Sequence, residues 1–128
     1  MPIHHTAISV KNSEASKAFY ESLFGMVQVA TGERPELEVK FIVLKDEKGN
    51  KLELFEHSRP ESLDEDLMDF QKIGIKHISF EVENIEKIME GAVKLGSKII
   101  WPPQKAITVK RIAFISDPDN IPIELMEV

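Results

Sequence analysis

The 128 residues are 42% hydrophobic and 30% charged, with a net charge of −6, the composition of a folded single domain rather than a disordered chain. That acidity leaves no basic stripe for nucleic-acid phosphates. The absence of cysteine excludes disulfide scaffolds, thiol nucleophiles, zinc ribbons and iron–sulfur sites.

The chain opens on MPIHHTAISV, which has neither a basic start nor a long apolar stretch, and no later run nears the ~20 apolar residues that span a bilayer. A cytoplasmic protein without membrane contact is expected. The first elements then read as a strand through His5–Val10 and a helix capped by Asn12 or Ser13, with Ala15, Ala18, Phe19 and Leu23 at helical spacing. Gly25 is placed to stop that helix with a left-handed cap. Phe41 to Glu56 follows as two strands around a tight turn, where Asp46 starts the turn and Gly49 tolerates positive φ.

After an acidic linker, 58–74, which carries Leu63, Leu67, Met68 and Phe70 and reads equally as a short surface helix or as a partly ordered connection, the whole pattern returns. His77, Val82 and Asn84 repeat His5, Val10 and Asn12 at a shift of 72. The second helix is capped by Asn84, carries Ile85, Ile88, Met89, Ala92 and Val93, and stops at Gly96. At a shift of 71, Ile112–Glu127 lies over Phe41–Glu56 and sets Asp117, Asn120 and Glu124 on Asp46, Gly49 and Glu53. The reading is an α+β chain of two tandem βαβββ modules, module 1 over about 1–57 and module 2 over about 75–128, within a single domain spanning 1–128.

Strand parity then sorts the polar residues, because successive side chains point to opposite faces. Ile8, Val10, Leu52 and Leu54 form the face that the first helix covers; Ile78, Phe80, Val82, Ile123 and Leu125 do the same in the second module. His5, Glu53, His77 and Glu124 are left on the uncovered face. If each sheet curls, that face is a trough, and two modules enclose a cavity. Pairing through the Asp117–Asn120 turn is expected to set Ala113 opposite Glu124 and Arg111 opposite Met126, which places Arg111 and its repeat partner Lys40 in the trough as anion-binding cations. Trp101, with Pro102 and Pro103, is read as a loop, either over the pocket mouth with the ring against the substrate or on the surface with Trp101 tucked into the core. His57 is peripheral, and His4 points to the opposite face.

Two imidazoles and two carboxylates on one face suit a divalent metal such as zinc, nickel, cobalt or iron. Four protein ligands leave an octahedral ion two adjacent positions, enough for two neighbouring oxygens of one substrate.

HHTAISV with His5, KLELFE with Glu53, KHISFEVENI with His77 and DPDNIPIELMEV with Glu124, in that order and spacing, resemble the vicinal oxygen chelate superfamily of glyoxalases, bleomycin-resistance proteins and dioxygenases. The His, Glu, His, Glu set is most similar to that of glyoxalase I. The resemblance implies a curved-sheet fold of paired modules, a nickel-, zinc- or cobalt-type centre on those four residues, a homodimer, and isomerisation of a hemithioacetal to a thioester. Glu124 is then the base that moves the proton, with Glu53 as its counterpart. Acyl-thioester epimerases are the alternative on the same scaffold, although glutamine usually stands there where this chain has Glu53. Fosfomycin-modifying relatives use only three ligands. A non-catalytic binding protein for a small molecule is a third reading, against which the four intact ligand residues speak.

Overall fold

Both helices start at an asparagine whose side chain replaces the missing turn. Asn12 accepts from the amide of Ala15 and Asn84 from that of Lys87, each at 3.0 Å. A computed structural model describes residues 1–128, in two compact units, Met1–Ser62 and Leu63–Val128.

In the first unit, β1 (Thr6–Val10) leads into α1 (Ser13–Phe24), and Gly25 closes the helix at φ 65°. β2 (Val27–Arg34), β3 (Val39–Lys45) and β4 (Lys51–His57) complete a sheet of order β1-β4-β3-β2, with β1 parallel to β4 and the remaining pairs antiparallel. The second unit repeats the plan. β5 (Ile78–Val82), α2 (Ile85–Lys94), β6 (Ile99–Lys105), β7 (Arg111–Ser116) and β8 (Pro122–Glu127) form a sheet of order β5-β8-β7-β6. These are the two βαβββ modules expected, and the chain is α+β.

Each helix packs on one face of its own sheet. Val10, Phe19, Tyr20, Ile42, Leu44, Leu52 and Leu54 are buried in the first unit, and Ile85, Met89, Ala92, Ala113, Ile115, Ile123 and Leu125 in the second. The α1 stripe is rotated from the expected one. Ser13, Ser16, Phe19 and Tyr20 are its buried residues, and Ala15 and Ala18 are exposed. The amide of Ser13 donates to Glu56 at the end of β4 (2.7 Å), which fastens the first turn to the sheet and fixes which side of the helix faces it. In α2, Val93 is likewise exposed, while Ile85, Met89 and Ala92 are buried.

The two hairpin turns share one construction. Asp46 accepts from the amides of Lys48 and Asn50, and Asp117 from those of Asp119 and Ile121. Gly49 and Asn120 take the left-handed conformation at φ 91° and 63°, a region that glycine and asparagine enter at least cost.

These turns also correct the expected register. Ser116 pairs with Pro122, so the connection runs through Asp117–Ile121, one residue longer than the tight turn read from the sequence. Every partner moves by one. Phe114 stands opposite Glu124, Ala113 opposite Leu125, and Arg111 opposite Glu127.

One further expectation fails locally, and one open alternative is decided. Trp101, Pro102 and Pro103 belong to edge strand β6, not to a loop, and the pairing with β7 is interrupted on both sides of Trp101. An edge strand with bulges accommodates prolines that cannot donate to a ladder. The segment 58–74 holds no helix. Asp66 and Asp69 accept from the amides of Met68 and Gln71, and such local turns compete with helical hydrogen bonding.

Candidate functional site

The parity argument holds for the residues proposed as ligands. In the first unit His5 immediately precedes β1, and Glu53 lies mid-β4, beside Ala7 across the parallel pair and Val43 across the antiparallel one. His5 Nε2 and Glu53 Oε2 are 3.0 Å apart. The rings of Phe41 and Phe55, 6.0 Å apart, share that face. In the second unit His77 precedes β5 and Glu124 lies mid-β8, beside Ser79 and Phe114. His77 Nε2 and Glu124 Oε1 are 3.7 Å apart. Both glutamates are largely shielded, with side chains 15% and 14% exposed. A carboxylate so far out of water needs a cation or hydrogen bonds.

The donor chemistry and spacing fit a metal. Ligands about 2.1 Å from one ion and about 90° apart are ~3 Å from each other, and wider angles stretch this to nearly 4 Å. Both His–Glu separations fall in that interval. Each unit contributes one imidazole and one carboxylate, and neither gathers a group of three or more metal-ligating side chains.

The second ring nitrogens differ. His5 Nδ1 lies 2.9 Å from His4 Nδ1, so His4, expected on the opposite face, instead steadies the ring of His5. His77 Nδ1 is buried with no hydrogen-bond partner, and the ring is held edge-on by Phe114 at 5.1 Å. Trp101 joins this small aromatic group, 4.9 Å from Phe114 and 6.2 Å from Phe70.

The two cations expected in the trough are elsewhere. Arg111 reaches across the helix-facing side to Glu127 (2.8 Å) and Glu86 (2.6 Å). Its guanidinium holds the Glu86 carboxyl down to about 2 and also lowers that of Glu127, whose oxygen accepts from the Ile85 amide as well. Lys40 pairs with Glu56 at 3.4 Å, and Glu56 is lowered first by the Ser13 amide it accepts from, then by the Ser13 hydroxyl and Lys40. These groups fasten each helix start to the end of its sheet. The register is the cause: connections of five residues, 46–50 and 117–121, exchange the face of every side chain on β3 and β7 relative to a four-residue turn.

His57, at the end of β4, accepts from the Arg59 amide (3.0 Å) and lies 3.9 Å from Glu38, apart from the Glu53 pair. The residue that sequence reasoning passed over is Ser79. Two residues after His77, it shares the face of that histidine by alternation, yet only the β5–β8 register shows that its hydroxyl meets Glu124, at 2.6 Å.

Comparison with known proteins bears on the family and the fold. Residues 2–125 match the model of the Glyoxalase/Bleomycin resistance protein/Dioxygenase superfamily. The chain is 30% identical over 125 residues to the uncharacterized protein YwkD of Bacillus subtilis, covering 98% of this chain and 95% of that one. A glyoxalase family protein from Enterococcus faecalis superposes with a TM-score of 0.77 at 29% identity, over 98% of this chain and 97% of the other. Glyoxalase I from Zea mays shares the fold at a TM-score of 0.80 and 21% identity, over 98% of this chain but 44% of the maize protein.

Proposed function

The chain belongs to the Glyoxalase/Bleomycin resistance protein/Dioxygenase superfamily, and from that membership we propose a metal-dependent, glyoxalase I-like lyase or isomerase that moves a proton between neighbouring carbons of a small substrate. His5, Glu53, His77 and Glu124 are its metal ligands, for nickel, zinc or cobalt. The substrate is a 2-oxoaldehyde–thiol hemithioacetal, and the working form is a cytoplasmic homodimer. No helix is long and apolar enough to cross a membrane.

The observation that carries the proposal is the pairing of one imidazole with one shielded carboxylate on the open face of each repeat, at 3.0 and 3.7 Å. A bound divalent ion would supply Lewis-acid stabilisation of negative charge developing on two vicinal oxygens. The chain's own part is acid–base work. Glu124 takes the proton from the carbon that bears hydroxyl and sulfur and returns it to the adjacent carbon, while the hydroxyl proton passes to the former carbonyl oxygen, which leaves a thioester beside a new hydroxyl; Glu53 is the pseudo-symmetric counterpart. Phe114 and Trp101 exclude water on the Glu124 side, and Trp101 offers its ring to the substrate. Arg111 and Lys40, already paired beside the helices, are left out of this role.

The test is turnover of the methylglyoxal–glutathione hemithioacetal by protein loaded separately with nickel and zinc. Chelator-sensitive activity is expected, and Glu124→Gln at saturating metal should lose about 10²–10⁴-fold in kcat, the usual scale of general acid–base catalysis. A metal-loaded Glu124→Gln protein with undiminished kcat would remove Glu124 from the mechanism.

A further inference from the structure

Glu53 and Glu124 are equivalent in the repeat, and each stands beside the corresponding residue of its parallel neighbour: Ala7 beside Glu53, Ser79 beside Glu124. The matched positions differ by one oxygen atom. The Ser79 hydroxyl donates to Glu124 Oε1 at 2.6 Å, in the short range typical of hydroxyl-to-carboxylate bonds. Ala7 presents a methyl group at the same register. Oε1 is also the Glu124 oxygen that lies 3.7 Å from His77 Nε2, so the Ser79 bond fixes the carboxylate oxygen that faces the neighbouring imidazole.

We propose that Ser79 is a positioning residue for Glu124, and that its hydroxyl distinguishes two otherwise equivalent carboxylates. The inference rests on the function proposed above and adds to it the reason why Glu124, rather than Glu53, works as the base. A hydroxyl both donates and accepts. It donates to Glu124 as a carboxylate and turns to accept from Glu124 as a carboxylic acid, so the contact survives both halves of the proton transfer. Glu53 has no hydroxyl beside it to do this. Ser79 is exposed and lies outside the buried core, so removing its oxygen leaves packing intact.

The experiment compares wild type, Ser79→Ala, Ser79→Thr, Glu124→Gln and the Ser79→Ala/Glu124→Gln double variant. Nickel alone is the first probe, by competition against a chromophoric chelator, with the melting temperature of metal-free protein alongside; hemithioacetal turnover is the second. Loss of an outer-shell partner costs about 10–100-fold in metal affinity or activity. Ser79→Ala should therefore bind nickel about tenfold more weakly and lose about tenfold in kcat at unchanged KM, with its melting temperature unmoved. Ser79→Thr, which keeps the hydroxyl, should recover most of both. In the Glu124→Gln background Ser79→Ala should cost no further kcat, because the carboxylate that Ser79 positions as the base is already gone.

Wild-type nickel affinity and kcat in Ser79→Ala would overturn the inference, as would a Ser79→Thr protein as impaired as Ser79→Ala. Nickel binding without hemithioacetal turnover would displace the substrate assignment alone, and the nickel comparison would still decide the role of Ser79. A wild type that binds no nickel would overturn both.

Discussion

An imidazole and a carboxylate at 3.0 Å make an ordinary ion pair on many protein surfaces; what sets His5–Glu53 and His77–Glu124 apart is their recurrence at the same place in a repeat, on the face that no helix of their own unit covers. That much was legible from residue types and alternation. The partners of the four proposed ligands were not. His4 beside His5 and Ser79 beside Glu124 depend on ring rotation and strand register, which a linear pattern does not encode. Phe114 is the clearest case. It lies on the side of β7 opposite to Ala113, and the one-residue register change is what sets it beside Glu124 and against His77. Phe114→Ala should cost about 3–5 kcal/mol of stability, measured by urea unfolding, and should loosen the His77 ring. A cost below about 1 kcal/mol would show that this aromatic contact is not part of the packed structure.

Among the elements, both helices were legible from their asparagine caps and closing glycines, whereas the side that α1 turns to the sheet was not. Ser13 and Ser16 are buried there because Glu56 captures the first amide of the helix, a tertiary contact that overrides the alanine stripe. The matching clamp in the second unit, Arg111 with Glu86 and Glu127, makes a pH prediction. Glu86 is lowered from its ordinary 4.5 to about 2, chiefly by the Arg111 hydrogen bond, and Glu127 and Glu56 are lowered as well. A depressed carboxylate stabilises the fold above its unfolded value and loses that contribution as pH falls through its folded value. The clamp is thus fully effective above pH 4.5 and is lost between there and about 2. Arg111→Gln should lower the urea midpoint at pH 7 and flatten its fall through that acid window. An acid profile identical to that of the wild type would show that the clamp contributes nothing to helix docking.

On the scale of the whole chain, the tandem βαβββ plan was the most legible feature, because a repeat multiplies weak local signals: one Asp-started turn is common, while two at matching positions, each following a capped helix and an alternating strand, are specific. The segment between the repeats was the least legible. Leu63, Leu67, Met68 and Phe70 suggest a helical face, but Asp66 and Asp69 spend their side chains on local turns instead. The repeat also predicts matched energetics. Leu54 and Leu125 are equivalent and fully buried, so Leu54→Ala and Leu125→Ala should each cost about 2–5 kcal/mol, and calorimetry that finds only one of them destabilising would refute equal cores.

The central claim is that the two His–Glu pairs are metal ligands, and its most direct test is a nickel titration of metal-free wild type, His5→Ala and His77→Ala. Saturable binding by the wild type is expected, weakened in each variant by more than the ~10–100-fold that an outer-shell partner is worth. Nickel binding of wild-type strength in both variants would contradict the assignment of these histidines and, with it, the chemistry built on them.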